Sequence, residues 1–295
     1  MVGRKSVGDR FFDFLNALFM ICMIVITVYP FLYVIFASVS ESRLLVGHSG
    51  LLLFPKGFSL SAYQLVLRNP NIATGYQNTL FIIVLGTFLN LLLTSFGAYV
   101  LSRKNFKFKN IMMILIVFTM YFSGGLIPRY LLVYNSYHLG NSLWALILPQ
   151  AISTWNLIVM RTSFQSIPDS LEESAKIDGA NDFVVLFRII LPLSLPVIAV
   201  MILFYGVGHW NSWFDAMIFL RDRELYPLQL ILREILISNS TDIMLGGVTD
   251  FDDREMVGES IRYATIMVAT LPILFIYPFI QKYFVKGVMI GALKG

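Results

Sequence analysis

Apolar residues run along this chain in six long blocks, each about the length that a helix needs to cross a lipid bilayer. None of the blocks alternates between apolar and polar positions as a strand of a membrane barrel does, so helices are the expected form. The sequence therefore predicts an all-α membrane protein with six transmembrane helices in a single domain over residues 1–295. The six blocks cover residues 14–39, 79–100, 111–132, 142–159, 196–214 and 263–283.

The composition supports this prediction. Hydrophobic residues make up 57% of the chain and charged residues only 14%, whereas soluble domains carry about a quarter charged residues. Arg4, Lys5 and Arg10 precede the first block, but that block is too long for a secretory signal and predicts a retained helix. The single cysteine, Cys22, excludes an intrachain disulfide.

Basic residues predict the orientation in the membrane. With the N-terminus inside, residues 1–13, 101–110, 161–195 and 282–295 hold 13 Lys and Arg in 72 residues. The opposite loops, residues 40–77, 123–141 and 214–262, hold 9 in 106. Positive charge concentrates on the cytoplasmic side of membrane proteins, so both termini are predicted to be cytoplasmic. The clearest marker is the short turn after the second block, with Arg103, Lys104, Lys107 and Lys109.

Residues that would carry enzyme chemistry are scarce. The three histidines, His48, His138 and His209, have no metal-ligand spacing around them. The sequence contains no zinc-protease, nucleophile-elbow or phosphate-binding-loop motif. We therefore expect no catalytic residue, no metal and no cofactor bound by this chain. Any ATP-driven work would need a partner subunit that binds ATP and Mg.

Neutral polar and aromatic residues within the blocks are the candidates for a solute pathway. Amides and hydroxyls beside flat aromatic rings suit an uncharged or sugar-like solute. The alternative is that they form interhelical hydrogen bonds and an aromatic belt at the membrane surface. The candidate pathway residues are Asn90, Gln150, Asn156, Trp210, Asn211 and Trp213.

The predicted extracytoplasmic loop at residues 214–262 is acidic, with ten Asp and Glu against five Lys and Arg. It is longer than a simple connection requires, and long loops are often binding elements. A solvated connection is the alternative.

A charged, amphipathic segment interrupts the apolar pattern within the predicted cytoplasmic loop at residues 161–195. Asp169 is predicted to cap a first short helix with Glu172 in its first turn, and Gly179 to end that helix. Asn181 or Asp182 would cap a second helix. The second helix carries one apolar stripe and ends at a proline: Phe183, Leu186, Phe187, Ile190 and Pro192.

The same segment carries a motif with the spacing E-[AS]-A-x3-G-x9-I-x-L-P, which resembles the coupling loop of binding-protein-dependent ABC importer permeases. The chain is similar to the carbohydrate permeases of the maltose-system type, and most to the oligosaccharide branch, with alginate importers among the candidates. Supporting resemblances are Trp210-Asn211, Pro227-Leu228 and the C-terminal residues 281–295. The motif positions are Glu173, Ser174, Ala175, Gly179, Ile189, Leu191 and Pro192.

The resemblance implies a permease subunit of the bacterial inner membrane that imports a sugar, an oligosaccharide or a polysaccharide fragment by alternating access. It implies a heterodimer with a second permease subunit, two ATPase subunits and an extracytoplasmic solute-binding protein. An ion-gradient-driven secondary transporter and a non-sugar ABC permease are the alternatives. The residues it assigns to ATPase coupling in the 169–192 loop are Glu172, Glu173, Ser174, Ala175, Gly179, Phe183, Phe187, Leu191 and Pro192.

Overall fold

The computed structural model describes the backbone of residues 7–237 and 251–292 and the side chains of residues 8–237 and 258–278. Throughout this part of the chain the regular elements are helices and no strand occurs, which confirms the all-α prediction. The α-helices are α1 (Val7–Ser38), α2 (Ser42–Val46), α3 (Ser61–Arg68), α4 (Pro70–Ser102), α5 (Lys109–Tyr121), α6 (Leu126–Leu131), α7 (Trp144–Ile147), α8 (Thr154–Gln165), α9 (Asp169–Ile177), α10 (Asp182–Val185), α11 (Leu191–Leu193), α12 (Leu195–Trp210), α13 (Phe214–Phe219), α14 (Leu228–Ile237) and α15 (Phe251–Ala292).

The chain divides into two compact units, Met1–Asn69 with Glu234–Leu271, and Pro70–Arg233 with Pro272–Gly295. The prediction of a single domain stays a prediction. In the first unit, the Tyr29 hydroxyl accepts a hydrogen bond from the Leu52 N–H at 3.0 Å. The rings of Tyr33 and Tyr263 meet edge to face with centroids 5.8 Å apart. These contacts attach the irregular segment after α2 to α1, and α1 to α15.

Three helices in the described residues are long and apolar enough to cross a membrane: Gly8–Ser38, Pro70–Ser102 and Gly258–Pro278. Two further pairs meet the same criteria if each is counted as one bent span, Lys109–Tyr121 with Leu126–Ser136 and Asp182–Leu193 with Leu195–Trp210. The first pair bends by 112° at Gly125, whose φ of +84° suits glycine. The second bends by 86° at Ser194, between Pro192 and Pro196. Prolines have no N–H to continue a helix, which favours a break there.

The block at residues 142–159, predicted as one transmembrane helix, is divided in the structure, so that prediction was wrong in form. Helix α7 ends at Ile147, a 3-10 turn follows at Leu148–Gln150, and α8 begins at Thr154. Pro149 in the turn lacks an N–H, and the Ser153 hydroxyl caps α8 by accepting the Asn156 N–H at 3.4 Å. The hydrophobicity of the block predicts its place in the chain but does not reveal that Ser153 caps a new helix.

Helix α4 is the centre of the second unit and packs against α8 and α12. Its buried face contains many small and polar residues, including Gly86, Thr87, Asn90, Ser95 and Ala98. Small residues allow helix backbones to approach closely where lipid supplies no hydrophobic driving force. The cluster around the C-terminal half of α4 includes the buried side chains of Tyr99, Leu101, Met160, Phe164 and Met201.

Gly86 on α4 lies against His209 on α12, and this contact predicts a matched pair of variants. A Cβ atom at Gly86 would lie 2.6 Å from the His209 Nε2 atom, which is hydrogen-bonded to Asn90 Oδ1 at 2.6 Å. We expect Gly86→Ala to lower the unfolding free energy by about 1–3 kcal/mol. Gly208→Ala in α12 meets no atom within 4 Å and should be neutral or stabilising. Thermal unfolding of both variants in detergent measures the difference, and equal melting temperatures would contradict the packing.

Candidate functional site

The segment at residues 169–193 forms two short helical elements joined by a turn, as the sequence predicts. The turn closes α9 with a Schellman motif: the Gly179 N–H donates to the Lys176 carbonyl at 3.1 Å and the Ala180 N–H to the Ala175 carbonyl at 2.9 Å. Gly179 has a φ of +85°, a conformation that side chains with a Cβ adopt at a cost. The prediction that Gly179 ends the first helix is confirmed.

The start of α9 differs from the prediction. Pro168 occupies the cap position, and Asp169 is the first helical residue. The Asp169 carboxylate pairs with the Lys104 ammonium at 2.5 Å, and this pair lowers the pKa of Asp169 and raises that of Lys104. The predicted capping role of Asp169 was therefore wrong, because a lysine from the turn after α4 offers its carboxylate a stronger partner than the backbone does.

The second element is longer than predicted. Asn181 caps α10 by accepting the Val184 N–H at 2.9 Å, which resolves the choice between Asn181 and Asp182. The helix continues through a π-helical turn at Leu186–Ile190 into α11 and ends at Leu193, with Ser194 as the C-cap. Pro192 is the next-to-last residue of this helix, so the prediction that Pro192 ends it was wrong by one residue. A π-turn just before a proline relieves the missing hydrogen bond and the ring clash.

The predicted apolar stripe separates into two faces. Leu186 and Ile190 are fully buried against the cluster around α4 and α8. Phe183 and Phe187 are 67% and 46% exposed, and their rings meet that of Phe96 edge to face at 6.2 and 6.1 Å. Two large aromatic side chains thus pack against Phe96 with about half to two thirds of their surface uncovered.

The turn exposes a further apolar residue that the sequence analysis did not select. Ile177, the last residue of α9, is 87% exposed. Glu173 on the same helix is exposed and has no hydrogen bond or ion pair with the described residues. We call Glu173, Ile177, Phe183 and Phe187 the knob surface. A carboxylate among uncovered apolar side chains is typical of a surface that another protein covers. In the sequence, Ile177 is a β-branched residue directly before Asp178-Gly179, where the first helix ends. This position could have indicated that its side chain is exposed.

Most of the remaining residues assigned to coupling have partners within the chain. The Ser174 hydroxyl donates to the Ser170 carbonyl at 2.8 Å, Ala175 and Leu191 pack against the buried cluster, and Pro192 is exposed. Glu172 points away from the knob surface. Its side chain is 12% exposed and accepts hydrogen bonds from Arg103 and, at 2.8 Å, from Lys176.

The charges around Glu172 form one network. Burial alone raises the pKa of Glu172, but the hydrogen bonds from Lys176 and Arg103 outweigh it and lower the pKa overall. The hydrogen bond to Glu172, followed by one to Asp182 at 3.2 Å, raises the pKa of Lys176 to about 12. Glu172 and Lys176 are therefore both charged at neutral pH. The sequence analysis used Arg103 only as a marker of orientation.

The six candidate pathway residues lie in two environments, and three of them are buried. Asn90 donates to the backbone carbonyls of Gln150 and Ala151, both at 2.8 Å, and its Oδ1 atom meets His209. Asn156 is buried at the start of α8. Trp210 is buried with its ring 6.3 Å from that of Tyr76, and its Nε1–H has no partner in the described residues. In this conformation the contacts of Asn90 are those of an interhelical hydrogen-bond bridge.

Gln150, Asn211 and Trp213 are exposed. Gln150 donates to the Asp215 carboxylate, while Asn211 donates to the Val207 carbonyl at 3.0 Å. The guanidinium of Arg233 lies 4.6 Å from the centre of the Trp213 ring, a cation–π distance. These residues gather at the same end of α12.

An ion pair between Arg129 and Asp215 lies at this end of α12 and was not predicted from the sequence. The Arg129 guanidinium donates to the Asp215 carboxylate at 2.8 Å. Asp215 is buried, and Arg129 is about a third exposed beside Gly125 and Pro128 in an open groove of about 660 Å³. Arg129 is the one charged residue in the block at 111–132, which was a usable signal, since such residues mark functional sites.

The segment after α13 is attached to the N-terminal end of α4. The Asn78 amide donates to the carbonyls of Glu224 and Tyr226 at 2.7 and 3.1 Å, and Thr79 Oγ1 accepts the Leu228 N–H at 2.9 Å. Asn141 holds the same segment through Arg221 and Asp222. The acidic residues at 242 and 250, and the side chains at 252, 253 and 255, lie outside the described residues, as do the side chains of residues 281–295.

Residues 92–290, which include the candidate site, match the family model of the binding-protein-dependent transport system inner membrane component. The chain belongs to this family. The matched range contains the knob surface, the charge network and the Arg129–Asp215 pair, so the family shares the part of the fold that holds the candidate site.

Individual relatives of this binding-protein-dependent family cover the chain almost completely. The polygalacturonan/rhamnogalacturonan transport system permease protein YtcP of Bacillus subtilis (strain 168) is 44% identical over 97% of this chain and 99% of its own length. Protein LplC of the same organism is 43% identical over 99% and 98%. A crystal structure of a bacterial ABC transporter involved in the import of the acidic polysaccharide alginate contains a chain with a TM-score of 0.86 and 30% identity, covering 96% of this chain and 100% of that one.

These matches confirm the prediction of an ABC importer permease. The chain is a permease component of a binding-protein-dependent transport system of the inner membrane. The relatives are transport subunits, which fits the absence of an enzyme motif in the sequence. None of these relatives supports the alternative of an ion-gradient-driven secondary transporter.

Proposed function

We propose that this chain is one transmembrane half of an ATP-driven importer for acidic polysaccharide fragments, and that the knob surface joins it to an ATPase subunit. The observation that carries the proposal is the knob surface itself: a carboxylate, Ile177 at 87% exposure and two half-exposed phenylalanines on a helix pair locked by a Schellman turn. ATP and Mg would be bound by the partner, because the sequence has no phosphate-binding loop.

The proposed topology has six crossings with both termini in the cytoplasm. The three long helices, the two bent pairs and the divided segment from α7 to α8 supply the six. The charge network lies at the C-terminal ends of α4 and α8, whereas Asn78 and Asn141 hold the acidic segment at the other end of α4. The basic turn at Arg103 and Lys104 thus belongs with the knob surface, as the positive-inside rule requires of a cytoplasmic face.

Six crossings form half of a translocation path, so the assembly would contain a second permease subunit, in a heterodimer, and two ATPase subunits. A solute-binding protein would dock on the opposite face, which includes the segment from Asp222 to Tyr226 and the acidic loop. The family description, binding-protein-dependent, supports that partner.

Two observations lead us to infer that the substrate is an acidic polysaccharide fragment. The relatives named above include a permease for polygalacturonan and rhamnogalacturonan and a transporter for alginate, and these polysaccharides carry uronate groups. In this chain, the guanidinium of Arg233 lies over the exposed ring of Trp213, which places a cation beside a flat aromatic face. Guanidinium groups bind carboxylates in a planar fork, and aromatic faces suit sugar rings.

The substrate proposal is tested by uptake into proteoliposomes that contain the complete complex. We expect saturable, ATP-dependent uptake of oligogalacturonate, and uptake at least about tenfold lower for the same oligosaccharide with its carboxyl groups reduced to alcohols, because each lost charged hydrogen bond costs about 1.5–3 kcal/mol. The reduced oligosaccharide keeps length and linkage constant. Equal uptake of both forms would contradict an acidic substrate and favour a neutral sugar.

A further inference from the structure

The C-terminal end of α4 is joined to α9 by a largely buried guanidinium, that of Arg103. Arg103 follows α4 directly, and its Nε–H donates to the Ser102 hydroxyl at 3.0 Å. Its Nη1–H donates to the Glu172 carboxylate on α9, and its Nη2–H to the Phe164 carbonyl near the end of α8 at 3.0 Å. The group also lies 5.1 Å from the centre of the Tyr99 ring. One side chain thus contacts three helices at once.

This contact is largely shielded from water. The side chains of Arg103 and Glu172 are 13% and 12% exposed, so solvent and salt screen the pair less than a surface pair. A guanidinium holds its hydrogen bonds in a fixed planar fork, which fixes direction as well as distance. The second coupling element joins the same network, because the Tyr99 hydroxyl donates to the Asp182 carboxylate at 3.2 Å.

The other end of α4 is fixed just as specifically. This helix runs for 33 residues without a break, about 50 Å at the usual rise per residue. Asn90 in its middle bridges to His209 on α12, and Asn78 and Thr79 at its beginning hold the segment from Glu224 to Leu228. Because α4 is continuous and is hydrogen-bonded to neighbouring segments near both ends, a displacement of one end is transmitted to the other.

We propose that Arg103 is a positioning residue for energy coupling: its pair with Glu172 makes α9 and α4 move as one body, so that α4 carries displacement of the knob to the opposite face of the membrane. This rests on the proposed function of the knob surface. Glu172 accordingly acts inside this chain rather than at the ATPase, unlike its exposed neighbour Glu173. Contiguity alone does not establish coupling, so the test is a double-mutant cycle.

The chain provides a matched control. Lys104 and Asp169 join the same two segments at 2.5 Å, but their side chains are 78% and 46% exposed. Such pairs contribute little. The reconstituted complex would be assayed for solute imported per ATP hydrolysed with Arg103→Gln, Glu172→Gln, the double variant, Lys104→Gln and Asp169→Asn. Co-purification of the ATPase subunit would be measured for each.

We expect both single variants at Arg103 and Glu172 to lower the import-to-hydrolysis ratio about tenfold, with the double variant no worse than either. The ATPase should still co-purify, and the Lys104 and Asp169 variants should stay within about twofold of the parent. Multiplying effects in the double variant, or an equal loss in the control pair, would overturn the inference. So would loss of ATPase binding in Arg103→Gln.

A covalent tether gives a test that a merely structural role would fail. In a Cys22→Ser background, which removes the one native cysteine, Arg103→Cys with Glu172→Cys would be bridged by a bis-methanethiosulfonate reagent. The inference expects the ratio to recover on bridging and to fall again on reduction; no recovery in fully bridged protein contradicts it. If Glu173→Lys uncouples but Arg103→Gln does not, this inference alone fails. If Glu173→Lys has no effect, the proposed function fails.

Discussion

Replacing Gly179 by proline is expected to abolish ATP-driven uptake while the protein still inserts in the membrane. Proline requires a φ near −65°, whereas Gly179 has +85°. The change also removes the N–H that donates to the Lys176 carbonyl, so the turn that orients α9 against α10 cannot form. We expect a loss of uptake of at least about a hundredfold, corresponding to about 3 kcal/mol for strain plus a lost hydrogen bond.

Gly179→Ala is the matched control for that prediction. A Cβ atom at this position meets no neighbouring atom within 4 Å, so alanine introduces only the strain of a positive φ, about 1 kcal/mol. Uptake should fall by less than about tenfold. Insertion of both variants is measured by their amount in alkali-washed membranes. Proline and alanine variants with equal activity would show that the turn geometry does not matter for coupling.

Replacing Ile177 by glutamate is expected to release the ATPase from the complex. Ile177 is the most exposed apolar side chain of the knob surface, and replacing a residue on which an interface depends costs about 2 kcal/mol or more, which is about a thirtyfold loss of affinity. The measurement is co-purification of the ATPase subunit with the tagged permease in detergent. The fold should tolerate the change, since the side chain has little contact within the chain.

Ile177→Leu keeps the apolar character and volume and should retain the ATPase. Phe183→Ser is expected to weaken binding in the same direction, because Phe183 is 67% exposed and its neighbour Phe187 keeps the contact with Phe96. Full retention of the ATPase by Ile177→Glu would exclude the turn from the interface.

The apolar pattern predicted the helical class, and the first, second and sixth apolar blocks overlap the three helices of membrane length, because the length of a hydrophobic block follows from bilayer thickness. It did not predict the breaks at Gly125, Ser153 and Ser194. These depend on caps and prolines that a hydropathy pattern averages away. Local signals were better where a single residue decides the backbone: Gly179 and Asn181 act as predicted.

Long-range charge pairs account for most of what the sequence left open at the site. Arg103 and Glu172 are 69 positions apart, and Arg129 and Asp215 are 86 apart, so no local pattern joins them. The family resemblance assigned both Glu172 and Glu173 to ATPase coupling. Only the packing of α9 against the end of α4 separates them, turning Glu172 inward and leaving Glu173 exposed. The same packing buries Leu186 and Ile190 and exposes Phe183 and Phe187, which share one stripe in the sequence.

The central claim is that the knob surface couples this permease to ATP hydrolysis, and Glu173→Lys tests it most directly. The exposed carboxylate of Glu173 forms no hydrogen bond or ion pair with the described residues. Reversing its charge should therefore leave the fold intact. The measurement is ATP hydrolysis by the reconstituted complex with and without solute-loaded binding protein, together with uptake. We predict that solute no longer stimulates hydrolysis and that uptake is lost; unchanged stimulation and uptake would contradict the account.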